Sequence, residues 1–423
     1  MRGKYIRLLI MLVALMSLFI SCSDNNLNEE IIQITLLHGW GTMEEDHIAM
    51  RKIYEDFEKE NPGIHINLLS MPSSEDAVNK AIDMISIGNV PDIIFTGGIG
   101  YDTIYKFMVE KDYAVNLFPY IENDDEFKGN IPKSVIQYWE NDNKEIFTLP
   151  DVFLMSGYWY NADIFSQAGI KEPPKTWDEF LDMCKKIRNW ADDINEDIVP
   201  ICFNSENSIA LFDYLVSSNG GDFHSINNEW RAELNYNTLY ENLKKLQVIF
   251  EYSTDLNKEF TYRDSLNNFN NNKSAIYING VWANSMIDQN INAKYAAFPM
   301  NSGKTIASKS SCIGYIVGNT KDQDRIEASI KLVKYMLSDN VQNRLLEETG
   351  QVPINPKINI EEYRESMPRL YEAVNVVNNA DMHIPIPVNF WNEKKRVYFM
   401  NNILDVLNRK IELDEFVKNI ETE

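Results

Sequence analysis

Apolar and polar residues alternate along this chain with two periods, one near two residues and one near 3.6, and the switches between them lay out the elements. Ile31 to Leu37 is an apolar, strand-like run that ends at His38-Gly39-Trp40-Gly41. Ile48, Ile53, Tyr54 and Phe57 follow at helical spacing, and Asn61-Pro62-Gly63 stops that helix before a second strand, Ile64 to Leu69. Thr42 with Glu45 three residues later predicts a capping box at the helix start. Strand, glycine turn, helix and strand make a β-α-β unit. A second helix runs from about Ser74 to Ile87, and a third strand follows Pro91-Asp92 through Ile93-Ile94-Phe95 to Thr96-Gly97-Gly98. In an open α/β sheet, ligands gather beyond the carboxyl ends of the strands. Trp40, Gly41, Gly97 and Gly98 are therefore expected at the edge of a pocket.

The best-punctuated stretch runs from Leu149 to Ile187. Pro173 and Pro174 hold the chain extended, and Thr176 with Glu179 has capping-box spacing, so a helix is expected to start at Trp177. Its apolar positions, Trp177, Phe180, Leu181, Cys184 and Ile187, share one helical face. Beyond it, Ile198 to Phe203 reads as a strand and Leu211 to Ser217 as a helix stopped by Asn219-Gly220-Gly221. Leu239, Leu243, Leu246, Ile249 and Phe250 mark another amphipathic helix, Ile313 to Val317 a strand, and Ile330 to Leu337, Val397 to Leu407 and Leu413 to Ile420 further helices. No internal repeat is visible, and the one low-complexity patch is an Asn run at 267 to 272.

Composition narrows what such a chain does. At 423 residues it is long enough for two domains with separate cores. Its formal charge of −23, from 40 basic and 63 acidic residues, argues against a nucleic-acid partner, whose phosphates are bound by Lys and Arg. Arg2, Lys4 and Arg7 precede the uncharged apolar run Leu8 to Ile20, which is a targeting signal too short for a comfortable membrane span of roughly 20 residues. Leu18-Phe19-Ile20-Ser21-Cys22 resembles a bacterial lipoprotein cleavage box, with Phe19 where Leu is usual, and implies lipidation at Cys22. Residues 23–30 then read as a polar tether. Cys184, Cys202 and Cys312 have neither disulfide-framework nor zinc spacing, and Cys184 on an apolar helix face is expected to be a small buried hydrophobe.

The familiar enzyme motifs fail along the whole length. Gly303-Lys304-Thr305 lacks the glycine a phosphate loop needs at position 298, which is Phe298. Neither a Gly-x-Ser-x-Gly elbow nor a Cys-x-x-Cys pair occurs, and the histidines 38, 47, 65, 224 and 383 are scattered without ligand spacing. Acidic Glu44-Glu45-Asp46 before His47 is best read as a charged helix start. A glycosidase needs only two well-placed carboxylates, so it stays open as the enzymatic alternative. Binding chemistry has more support. Trp40, Tyr101, Trp282 and Trp391 lie at expected strand ends or turns, where a ring can face a ligand. Glu75 and Asp76 open a helix near the same strand ends, Asp151 follows the strand-like Ile146 to Leu149, and Glu206 and Asn207 follow the strand Ile198 to Phe203. These are the expected polar contacts.

Several strings together resemble one family. They are Tyr160-Asn161-Ala162-Asp163-Ile164-Phe165 through Gly169, Pro173-Pro174-Lys175-Thr176-Trp177-Asp178-Glu179, and Phe269 through Lys273 to Gly280-Val281-Trp282. Phe298-Pro299, Gly350 to Asn355 and Phe390-Trp391 complete them. The chain resembles the extracellular solute-binding proteins of sugar ABC transporters, the maltose-binding-like family. Asn272 stands where the family has Gly, a position that Asn tolerates at positive φ. The resemblance implies a two-lobed α/β fold of the periplasmic-binding-protein type, with lobe 1 from residues 31–152 and 300–335 and lobe 2 from 157–298 and 339–423. It implies hinge crossings near Val152 to Gly157 and Tyr295 to Met300, and an interlobe cleft in which Trp282 and Trp391 stack on sugar. The expected partners are a sugar or oligosaccharide and ABC permease subunits, met by a lipid-anchored monomer outside the cytoplasm that needs no cofactor or metal. The same fold could instead present ligand to a sensor kinase.

Overall fold

The computed structural model describes residues 31–95, 101–218, 223–226, 229–232, 235–253, 260–311, 314–385 and 393–422. In chain order the strands are β1 Ile32–His38, β2 Ile64–Ser70, β3 Ile93–Phe95, β4 Val152–Asn161, β5 Val199–Ile201, β6 Phe223–Ile226 and β7 Glu229–Ala232. They continue with β8 Ser274–Gly280, β9 Ala293–Ala296, β10 Phe298–Pro299, β11 Thr305–Ser311, β12 Tyr315–Val317, β13 Val352–Pro353 and β14 Met382–Ile384.

The smaller sheet has the order β12-β3-β1-β2. β1 pairs parallel with β2 and β3, joined by the helices Glu45–Glu60 and Ser74–Ser86, while β12 enters antiparallel from far along the chain. Side chains on these strands alternate between two cores. Ile34, Leu36, Ile93, Phe95, Tyr315 and Val317 face one, and Leu37, Ile94 and Ile316 face the other. β3 and β12, covered on both faces, are wholly apolar, whereas β1 and β2 interleave Gln33, Thr35, His65 and Asn67 with their apolar positions.

The larger sheet runs β10-β11-β4-β8-β5, with β9 and β13 also on β4 and β14 on β11. The helices Trp177–Asp193, Ser205–Ser218, Tyr236–Ser253, Glu393–Leu407 and Leu413–Thr422 cover one face with a shared core. Trp177 is buried there and donates its indole N–H to Ser218, and Cys184 is fully buried. Thr176 accepts from the Glu179 amide as its spacing predicts. Asn272 takes φ +57°, so the turn before β8 is kept. No helix among the described residues is long and apolar enough to cross a membrane.

Three features differ from the sequence reading. The helix beginning at Glu45 is preceded by Glu44, not Thr42, at its capping position, and the Thr42 hydroxyl instead lies 2.7 Å from His47 Nδ1. Ile146 to Leu149 forms no strand beyond one bridge from Leu149 to Tyr315. The crossings are also displaced. β4 runs unbroken from Val152, so the first passage between sheets is at Leu149 to Asp151 rather than 152 to 157. β9, β10 and β11 all pair within the larger sheet and β12 in the smaller, so the second passage falls between β11 and β12 rather than at 295 to 300. Val341 and Leu345 pack in the smaller sheet's core before β13 returns to β4, which gives a third passage near Gly350. A Phe-Pro dipeptide marks a β10 edge strand here, where the missing proline N–H costs no ladder bond.

Candidate functional site

A cavity of about 340 Å³ opens where β4 begins, between the two sheets. Its floor is Val152, Phe153, Leu154, Ser156 and Gly157 of β4. Gly157 is needed there, because a Cβ would sit 2.5 Å from the Ala296 carbonyl oxygen. Ser156 meets the Tyr214 hydroxyl at 2.8 Å, and Tyr214 also donates to Ser308; burial pushes its phenol up to about 12.

The smaller-sheet wall is Trp40, Glu44, Asp46 and His47. His38 ends β1 fully buried, accepts from the Trp40 amide through Nδ1 at 3.0 Å and meets Ser70 Oγ through Nε2 at 2.9 Å. Burial, with the nearby Arg51 charge, lowers its pKa to about 3, so it works as a neutral clamp on the turn. The Trp40 ring stacks on Phe95 at 6.1 Å and meets His47 edge-on at 4.9 Å, and its buried Nε1 has no partner among the described residues. Burial raises Asp46 and lowers His47, each opposed by the other's charge. Glu44, Asp46 and His47 bring donor atoms within 4.8 Å of one another. Glu44 is ion-paired to Arg263 at 2.6 Å, however, and His47 is held by Thr42, so the trio is already engaged as a helix start.

The larger-sheet wall comprises Asn204, Glu206, Asn207, Ala210, Tyr262, Tyr277, Ile278, Asn279, Gly280, Trp282, Met286 and Gln351, with Tyr214 at its foot. Trp282 follows β8 in a short 3-10 turn, its ring laid flat over Gly280, where a Cβ would come within 2.1 Å of it. Asn279 fixes the neighbouring phenols, with its amide donating to Tyr262 at 2.6 Å and to Tyr277 at 2.5 Å. Asn204 and Asn207 cap the helix Ser205–Ser218 reciprocally, each side chain accepting from the other's amide at 2.8 Å. Glu206, between them in the first turn of the helix, lines the cavity. It is reached by solvent yet enclosed by the cleft, and that enclosure, with the like charge of Glu75, raises its pKa.

Of the expected contacts, Trp40, Glu206, Asn207 and Trp282 line the cavity. Asn207 does so with both polar ends committed, its Nδ2 donating to the Cys202 carbonyl. Gly41 is a packing glycine instead, since a Cβ would lie 2.4 Å from the Met71 carbonyl oxygen. Glu75 is an exposed residue in the first turn of its helix and acts on the site through its charge. Asp151 is fully buried behind the floor, accepting from Tyr315 at 3.1 Å, and does not line the cavity. Tyr101 begins the helix Tyr101–Glu110, but its side chain lies outside the described residues, as do Gly97, Gly98, Trp391 and Cys22. Sequence reasoning missed Glu44, Asp46, His47, Asn204, Tyr214, Tyr262, Tyr277, Asn279 and Gln351. Tyr262 and Asn279 carried a usable signal, because both stand beside Trp282's strand in a polar setting.

The profile of the bacterial extracellular solute-binding proteins matches residues 40–343, a span that holds most strands of both sheets and every lining residue of the cavity except Gln351. The chain belongs to that family. This solute-binding protein is 23% identical over 358 residues to the multiple sugar-binding protein of Streptococcus mutans, covering 79% of this chain and 78% of the relative. Its fold is similar to that of a Streptococcus pneumoniae solute-binding protein in complex with the blood group A-trisaccharide, with TM-score 0.77, 21% identity and coverage of 92% and 98%. It is also similar to a chitin oligosaccharide binding protein, with TM-score 0.74, 19% identity and coverage of 93% and 98%.

Proposed function

We propose that this solute-binding protein captures a sugar or oligosaccharide between its two lobes and delivers it to an ABC permease, tethered outside the cytoplasm by lipid on Cys22. One observation carries the reading. Trp40 from the smaller-sheet side and Trp282 with Tyr262 from the larger-sheet side flank a cavity whose polar groups are amides, phenols and carboxylates. Flat apolar rings suit the C–H face of a pyranose, and acceptors suit its hydroxyls. The relatives named for sugars support the same class.

By sheet membership we assign lobe 1 to residues 31–150 and 314–349, and lobe 2 to 152–311 and 351–422. Ligand bound to one lobe favours the form in which the other has swung onto it, so binding shifts an equilibrium and no bond is broken. Glu44 and Arg263, 219 residues apart in sequence, tie the two lobes at the cavity mouth. Trp391 and the Gly97-Gly98 turn complete the proposed contacts on the strength of the family strings. The test is a thermal-shift panel of mono- and oligosaccharides on protein lacking residues 1–22. A ligand at about 100 times its Kd stabilises by roughly 2.7 kcal/mol, which a melting curve resolves. A panel without a single upward shift refutes the carbohydrate assignment, and shorter products from any oligosaccharide would make the protein a glycosidase.

A further inference from the structure

Charge around the cavity is one-sided. Glu44, Asp46 and Glu206 line it, and none of the described lining residues is Lys or Arg. Glu44 is answered at the rim by Arg263, 65% exposed on the outside of the mouth. His47 is held toward its neutral form by burial. Glu206 differs from both: no hydrogen bond or ion pair engages its carboxylate among the described residues, and the like charge of Glu75, in the first turn of the helix Ser74–Ser86 that packs on the smaller sheet, acts on it. Asn207, the next residue, is consumed by the helix cap. Asp46 accepts from the His47 backbone amide at 2.9 Å, so Glu206 is the acidic wall group that no described residue engages.

We infer that the cleft discriminates carbohydrates by charge, with Glu206 as the specificity-determining residue: amino sugars bind tightest, neutral sugars next, and uronic, sulfated or phosphorylated sugars are excluded. This rests on the carbohydrate reading above and deepens it. A carboxylate only accepts hydrogen bonds, so it takes a hydroxyl proton, and it takes an ammonium with a stronger, charge-assisted bond. An anionic ligand would enter a cleft of its own sign without a counter-charge from the lining, a juxtaposition that disfavours binding. Low-dielectric walls focus that field, and the chain's net charge of −23 gives it no relief at longer range.

The experiment uses two matched sets, glucose, glucosamine and glucuronate, and galactose, galactosamine and galacturonate, each as monosaccharide and as β-1,4 disaccharide. Calorimetry at neutral pH is run in low and high salt. In whichever set binds, the amino form is expected about tenfold tighter than the neutral form, with the gap narrowing in high salt, and the uronate is expected to give no heat. Glu206→Gln keeps the size and the acceptor, and is expected to shrink the amino-to-neutral ratio to about two; Glu75→Gln should shrink it by less. Circular dichroism and melting curves confirm that both variants fold. A uronate that binds as well as its neutral partner, or a ratio unmoved by Glu206→Gln, overturns the charge assignment while leaving the sugar reading standing. Silence from every member, together with a flat neutral panel, overturns both.

Discussion

Asp151→Asn offers the sharpest test of the physics at the passage between sheets. Asp151 is fully buried, its Oδ2 accepts from Tyr315 at 3.1 Å, and Tyr315 in turn meets the Tyr54 hydroxyl at 3.1 Å. Oδ1 has no partner among the described residues, and burial outweighs the Tyr315 bond, pushing the carboxyl from 3.8 up to about 7. An acid whose folded pKa lies above its unfolded value is protonated longer in the native state, so its full stability is present below 3.8 and is lost as pH rises through about 7. A shift of that size corresponds to at most about 4 kcal/mol lost across the window. Asn cannot ionise. Its oxygen can still accept from Tyr315, but its amide would replace the partnerless Oδ1 and leave a buried donor unmet, at about 1–3 kcal/mol at every pH. The variant is therefore expected to be less stable than wild type near pH 4.5 and more stable near pH 8, with the curves crossing between. Urea unfolding across that range gives the difference directly, since groups shared by both proteins cancel. A constant difference from pH 4.5 to pH 8 would refute the reasoning.

Other tests address separate parts of the molecule. Trp282→Ala should weaken binding of the best sugar found by at least about tenfold, because it strips the ring that lies over Gly280, and calorimetry with unchanged affinity would remove Trp282 from the site. Arg263→Ala opens an exposed pair worth about 1 kcal/mol or less, so affinity should drop by no more than about fivefold, and the drop should vanish in high salt. Gly314→Ala places a Cβ 1.9 Å from the Leu149 carbonyl oxygen at the second passage; a melting temperature equal to wild type would contradict that packing. The Cys184 thiol is buried and pushed up to about 12, so iodoacetamide at mildly alkaline pH should leave it unmodified in native protein by peptide mass spectrometry, as it should the buried Cys202.

Periodicity located β1, β2 and the Trp177–Asp193 helix within a residue or two, because each has an apolar face and explicit stops. Short strands fared worse. β5 has three residues where six were expected, since Ile198, Cys202 and Phe203 are apolar through burial among helices rather than through pairing. The passages were misplaced for a related reason: an apolar run looks alike whichever sheet it joins, and only pairing shows that Thr305–Ser311 belongs with β4. In the site, Trp40 and Trp282 could be found because a large ring at a strand end is rarely idle. Glu44 and His47 could not, because their neighbours across the cavity are some two hundred residues away in sequence. Asp151 illustrates the opposite error. A carboxylate entering a hinge looked like a ligand group, and folding buried it behind the floor.

The three passages also govern when this chain can fold. β3 ends at residue 95 and its neighbour β12 begins at residue 315, so one edge of the smaller sheet stays unpaired while about 220 further residues are made, which takes roughly ten to forty seconds at ordinary synthesis rates. β4 waits likewise for β8, β9, β11 and β13. Pairings this distant close slowly because the loop entropy is met before any contact rewards it. Through that interval the nascent polypeptide carries both sheets incomplete, with strand edges open to mispairing. Shortening that interval, for example by a circular permutant that brings β12 next to β3 in sequence, would make the same fold quicker to form.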